Sequence, residues 1–160
     1  MNKQTKRRLC GTLAAGMLML GTCASAQAST NTYWWGVTSH KLTADERDLA
    51  ERVVMAEAGG ESYECMLGVA QTIRERAEHW GLTVEEVLTA RAQYAKPYKG
   101  KASEDAKNAV SAVFDDGIRA FDAYTTHFHD DSVNPWWNKA KTKRGEIDGV
   151  LFWGADIVKE

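Results

Sequence analysis

The chain has 160 residues, 20 of them basic and 22 acidic, for a formal net charge of −2. That is the length of one domain, and the missing basic surplus argues against non-specific binding to nucleic acid. The first eight residues carry Lys3, Lys6, Arg7 and Arg8 and no acid; an apolar run from Leu9 to about Cys23 follows, then Ala24-Ser25-Ala26-Gln27-Ala28. A positive start, a short apolar run and an Ala-x-Ala end are the three parts of a secretory signal. The run is short of the roughly 20 residues that span a bilayer. Residues 1–28 therefore read as a signal peptide cleaved after Ala26 or Ala28, with the remainder exported to the periplasm or cell envelope and not stably inserted in the membrane. Two other fates stay open: Leu20-Gly21-Thr22-Cys23 faintly resembles a lipoprotein box, and an uncleaved segment would act as an anchor.

Cleavage takes four of the 20 basic residues and none of the 22 acidic ones, leaving a net charge of −6. It also takes Cys10 and Cys23. Cys65 alone remains, so no internal disulfide forms and the domain relies on core packing. Residues 29–41 are polar, include Trp34 and Trp35, and read as a linker; residues 42–160 read as the folded domain.

The first helix opens on a capping box, Thr43-Ala44-Asp45-Glu46, and carries Leu49, Ala50, Val53, Val54 and Ala56 at helical spacing. It is expected to end at Gly59-Gly60, where glycine permits left-handed backbone. Ser62 caps a second helix with a small apolar face: Cys65, Met66, Val69, Ala70, Ile73 and Ala77. Gly81 stops it. Thr83-Val84-Glu85-Glu86 is a second capping box before a short helix, and residues 91–102 are irregular. Ser103 caps a fourth helix with Ala106, Ala109, Val110, Val113 and Phe114, closed by Gly117. Beyond it, 124–129 and 150–153 favour strands. Four helices followed by a small antiparallel strand pair make a mainly helical α+β domain.

Glu57 lies in the last turn of an apolar-faced helix. Burial and the negative end of the helix dipole both raise a carboxyl pKa there, as a general acid needs. From spacing alone, a boundary glutamate paired with an arginine of the second helix, such as Arg76, is the reading favoured over a general acid. Glu61 and Glu64 sit where helix-start carboxylates are favourable for dipole reasons alone. His127-x-His129 places two imidazoles on one side of a strand, followed by Asp130 and Asp131, a set able to hold zinc or iron. The His-Glu-x-x-His pattern is absent, and no metal or other cofactor is assigned. Trp136 and Trp137 beside Pro135 suit stacking on sugar rings, or closure of the core.

The run Leu49 to Glu64, LAERVVMAEAGGESYE, resembles the opening of the SleB/CwlJ-like cell wall hydrolase family, V-Y-A-E-A-R-G-E-P-Y-E-G. Gly68 to Ile73 with Arg76 is similar to its next helix, Gln93-Tyr94-Ala95 to its Q-F-S, and Thr126 to His129 with Pro135-Trp136-Trp137 to its T-H-Y-H…P-x-W. Ile147 to Trp153 matches the closing strand more loosely, so the resemblance spans about residues 47–153. Between Glu57 and Glu61 the family carries an arginine and this chain has glycine. Glu75 replaces an asparagine, Val150 a histidine, and Lys96-Pro97-Tyr98-Lys99 departs from the usual residues after Gln93.

The resemblance implies a lysozyme-like helical core acting on peptidoglycan as a lytic transglycosylase that cuts the MurNAc–GlcNAc bond. It makes Glu57 the catalytic acid, with Glu61, Tyr63, Gln93, His127, His129 and Trp136 as candidates for positioning substrate. It implies no cofactor and leaves any accessory protein unknown. A non-catalytic wall-binding module and a metal-dependent hydrolase using His127 and His129 are the rival readings.

Overall fold

A computed structural model describes residues 33–34, 40–122 and 124–154; the segment read as a signal peptide and most of the linker lie outside them. The two described arm residues form strand β1 (Tyr33–Trp34), paired with β2 (Ile118–Arg119). Helix α1 (Ala44–Ala58) begins at the expected capping box: the Thr43 hydroxyl accepts from the Glu46 amide at 3.2 Å, and the Glu46 carboxylate accepts from the Thr43 amide at 3.0 Å. It ends at Gly59, as expected, but for a different reason. Gly59 is right-handed (φ −68°), and a Cβ there would lie 2.3 Å from the Met55 carbonyl oxygen and 2.9 Å from its sulfur. Room, not left-handed backbone, requires the glycine.

Helix α2 (Tyr63–Trp80) is capped by Ser62 and stopped by left-handed Gly81 (φ 64°). Helix α3 (Val84–Thr89) starts at the Thr83 capping box, and α4 (Glu104–Phe114) at Ser103. Helix α4 ends at Phe114, before Gly117, whose positive φ of 70° turns the chain into β2. Helix α2 is the centre of the molecule and packs against α1, α3, α4, β2 and strand β3 (His127–Asp130). Its expected apolar face is buried throughout. So are Gln71, Thr72, Arg74, Glu75 and Arg76, so the middle of the helix is enclosed on every side.

The polar side is enclosed because segment 118–126 docks on it through side chains. Gln71 Oε1 accepts from the Ala120 and Phe121 amides at 2.9 and 3.0 Å, and its Nε2 donates to Glu75 Oε1 at 2.9 Å. Glu75, 0% exposed, pairs with Arg119 at 2.9 Å and accepts from the Thr125 amide. Burial pushes its carboxyl up to about 7 against the pull of Arg119, Thr125 and Gln71.

The sheet has three strands rather than the expected pair: β3, β5 (Val150–Gly154) and β4 (Thr142–Ile147), in the order β3-β5-β4 and all antiparallel. Strand β4, TKRGEI, is charged and largely exposed, so it lacks the apolar alternation that marks a strand. Its signal is the turn after it, Asp148-Gly149, both at positive φ, the residues a tight hairpin prefers. Asp148 also docks the hairpin on α2, accepting from the Ser62 amide and hydroxyl at 2.9 and 2.5 Å. Trp136 and Trp137 open a 3-10 helix (Trp136–Ala140).

Phe152 seats the sheet on the helices. It is 0% exposed and lies over Gly68, where a Cβ would come within 2.8 Å of its ring. Phe121 and Phe128 flank it at ring-centroid distances of 4.9 and 5.9 Å. Phe152→Ala is expected to cost about 3–5 kcal/mol, read from urea unfolding. Glu75 supplies a pH signature. Its folded pKa is raised above the unfolded value, so the folded state binds the extra proton, and that stabilisation is full below the unfolded pKa and lost as pH rises toward 7. The urea midpoint is expected to fall between about pH 4.5 and 7, and Glu75→Gln to flatten that fall.

Candidate functional site

A groove runs between the helical body and the free edge of β3. One half, about 410 Å³, is lined by Glu57 and Glu61, by Cys65, Val69 and Arg76 of α2, by the 92–95 loop, by Phe128, His129 and Asp130 of β3, and by Val150. The other half, about 510 Å³, is lined by His127, Trp136, Trp137, Ala140 and Lys141. Arg76, Ala92, Gln93 and Phe128 line both, so the two halves are continuous across them.

Glu57 is half-buried at the end of α1. Its Oε1 accepts from the Ala95 amide at 2.5 Å, which ties the acid to the loop opposite. Burial raises its pKa, opposed by the Ala95 hydrogen bond and by the positive charge of Arg76. The expected ion pair with Arg76 does not form. Arg76 Nε instead donates to the Thr126 carbonyl at 2.5 Å, and the guanidinium lies 4.9 Å from the Tyr94 ring and 5.5 Å from that of Trp80. Arg76 therefore acts on Glu57 from across the groove, held between two aromatic rings.

The loop that meets Glu57 is strained where it crosses the groove. Ala92 adopts φ 58°, a left-handed conformation costly for a residue with a Cβ. The loop is held by Ala95 on Glu57 and by the Tyr98 amide on the Arg52 carbonyl, 3.0 Å. Gln93 stands exposed at the meeting of the two halves.

Both histidines lie beside Trp137, at 4.8 Å for His127 and 5.4 Å for His129, as strand alternation implies. His127 Nδ1 bonds the Thr126 hydroxyl at 2.9 Å, and burial, with Lys141 and Arg76 nearby, lowers its pKa to about 4. His129 Nδ1 donates to the Asp130 carbonyl at 2.8 Å while its ring stacks on Trp153 at 5.8 Å. Each imidazole is engaged through Nδ1, His129 Nε2 is buried with no hydrogen-bond partner among the described residues, and those residues contain no group of three or more metal-ligating side chains.

Of the residues named from sequence, the groove gathers Glu57, Glu61, Gln93, His127, His129 and Trp136, the last 86% exposed. It does not include Tyr63, which packs against the core and feels Asp105 and Asp116 around α4. Cys65 borders the groove but is buried, its thiol pushed up to about 12 by desolvation, and so is unreactive. Arg76 as the centre of the groove, Tyr94, Phe128 and Lys141 were missed. Arg76 had a signal: Val69, Ile73, Arg76 and Trp80 share one helix face, so a cation interrupts an apolar stripe.

The cell wall hydrolase family model matches residues 60–153, starting three residues after Glu57. In fold, the chain is similar to the catalytic domain of Bacillus cereus SleB, at a TM-score of 0.65 and 18% identity over 75% of this chain and 100% of that one. It is also similar to the catalytic domain of the germination-specific lytic transglycosylase SleB from Bacillus anthracis, at a TM-score of 0.61 and 20% identity over 73% of this chain and 100% of that one. No curated protein matches it. Among the described residues no helix is long and apolar enough to cross a membrane. With the family model covering more than half its length, the chain belongs to the cell wall hydrolase family and is an enzyme acting on peptidoglycan.

Proposed function

We propose that the protein is a lytic transglycosylase that cuts glycan strands between N-acetylmuramic acid and N-acetylglucosamine, with Glu57 as acid and then base. The observation that carries this is the half-buried Glu57 carboxyl, held in an open groove with its pKa raised by desolvation. The Bacillus anthracis protein of similar fold, described as a lytic transglycosylase, supports the same reaction class. Residues 1–28 deliver the domain across the membrane to the envelope, where the substrate lies.

Glu57 Oε1 is engaged by the Ala95 amide, which leaves Oε2 to carry the proton. Oε2 gives it to the glycosidic oxygen as the bond to the muramyl C1 breaks, releasing the glucosaminyl 4-hydroxyl and leaving an oxocarbenium-like centre. The Glu57 carboxylate then takes the proton of the muramyl 6-hydroxyl, whose oxygen bonds to C1. The product is a 1,6-anhydro sugar; no water is consumed and the carboxyl is restored. Gln93, His127, His129 and Trp136 are placed along the groove to hold the strand, with Glu61 at its edge.

Hydrolysis is the second reading, because Glu61 and Asp130 line the same half of the groove and either is a partner for a two-carboxylate mechanism. Mass spectrometry of digested peptidoglycan separates the two: anhydro-muramyl ends mark the transglycosylase, reducing muramic acid ends the hydrolase. Glu57→Gln is expected to lower turnover by about 10²–10⁴-fold, and activity retained in that variant would remove Glu57 from the mechanism. The reaction needs a protonated Glu57. Turnover should therefore fall as pH rises through its raised pKa, giving a basic limb above the ordinary carboxylate range in a pH–kcat profile.

A further inference from the structure

We propose that the half of the groove walled by Trp136 and Trp137 is a carboxylate-binding subsite, and that it takes the acidic side arm of a muramyl residue. This rests on the reading of the groove as the glycan-strand site. The two halves differ in charge. Arg76 lines both; the half holding Glu57 also holds Glu61 and Asp130, whereas the other adds Lys141 and has no acid. This cationic stretch belongs to a chain whose net charge is negative.

Arg76 is 4% exposed, and its Nη1 is buried with no hydrogen-bond partner among the described residues. Nε on the Thr126 carbonyl and the rings of Tyr94 and Trp80 fix the guanidinium, so Nη1 is held ready for an acceptor. Lys141 is half-buried and forms no ion pair among the described residues. The His127 imidazole lies within reach of both charges and is kept neutral. Lys141 without an ion pair and Arg76 with an unbonded Nη1, beside exposed Trp136, suit a ligand with both an anion and an apolar sugar face.

Peptidoglycan strands alternate a neutral sugar with one bearing a lactyl arm, which ends in a carboxylate or continues into a peptide with carboxylates. A site that accepts only the acid-bearing sugar holds such a strand in one of two frames. Arg76 and Lys141 thereby select which of the two alternating linkages reaches Glu57.

The test uses the Glu57→Gln protein, so that strands are bound and not cut. Three probes of matched length are titrated: strands with peptides, strands stripped of peptides by an amidase so that the lactyl carboxylate is free, and neutral chitin oligosaccharides. At low salt at least one acid-bearing strand should bind about three- to tenfold more tightly than the chitin oligosaccharide. The tighter of the two identifies the acid, peptide or lactyl. The preference should shrink at ~0.5 M salt, shrink with Lys141→Gln and disappear with Lys141→Glu, each with an unchanged melting curve. Equal binding of chitin oligosaccharides, or a preference undiminished in Lys141→Glu, overturns the subsite. Cleavage by the unsubstituted protein is scored separately. A binding preference without cleavage supports the subsite and counts against the role of Glu57, and cleavage without preference overturns the subsite alone.

Discussion

Glu75 has no contact with solvent, and a carboxylate in that position is tolerated only because donors reach it from both sides. Gln71 comes from its own helix; Arg119 and the Thr125 amide come from the segment after α4. The desolvation of Glu75 is offset only when that segment is docked, so helix and segment form one unit. The segment leads directly into β3, the edge of the groove. One residue after Thr125, the Thr126 carbonyl accepts from Arg76, one residue after Glu75. The cluster that satisfies a buried charge therefore also sets the register between the two walls of the site.

Helix α2 fixes the sheet at three heights. At its start Ser62 holds the hairpin turn through Asp148; in the next turn Gly68 makes room for Phe152; in its middle Gln71 and Glu75 clamp segment 118–126. Three attachments along one rigid rod leave the sheet little freedom to tilt, so the groove is preformed. The acid comes from a different helix, and the Ala95 amide links it to the loop that closes the far side. Ala92, at positive φ, lies three residues before that contact.

The helices were legible because their ends are written in side chains: Thr43, Ser62, Thr83 and Ser103 all cap as their sequences imply. The family resemblance and the mainly helical α+β class agree with the matched family model and the similar folds. Strand β4 was not legible, because a largely exposed strand carrying Lys143, Arg144 and Glu146 has no apolar period, and only Asp148-Gly149 betrays it. Helix α2 was half legible. Its apolar face followed the spacing, but nothing in a single helix reveals that Gln71 and Glu75 are covered by a segment some 50 positions away. Arg76 reads from the sequence as a partner for Glu57, for the same reason: its contacts in the fold, the Thr126 carbonyl and the Tyr94 ring, come from distant positions. Tyr63 carried the motif but points into the helical body, since adjacent helix residues face different directions.

In the proposed reaction one residue must serve twice, releasing a proton at the first step and recovering one at the second. A carboxyl with a strongly raised pKa donates badly, and one left at its ordinary value is empty at neutral pH. Opposing groups act on Glu57, and the net effect is to raise its pKa. Burial favours the protonated form, while the Ala95 amide and the Arg76 charge favour the carboxylate. The two groups that pull the pKa down are the ones that stabilise Glu57 in the interval when it carries charge. Asp130 serves as the contrast within the same half of the groove: exposed and bonded to Ser132, it is held below its ordinary value and stays ionised. Burial, opposed by a backbone amide and an arginine on the facing helix, thus sets Glu57 apart from Asp130: the pKa of the first is raised, and that of the second is lowered by its bonds to Ser132.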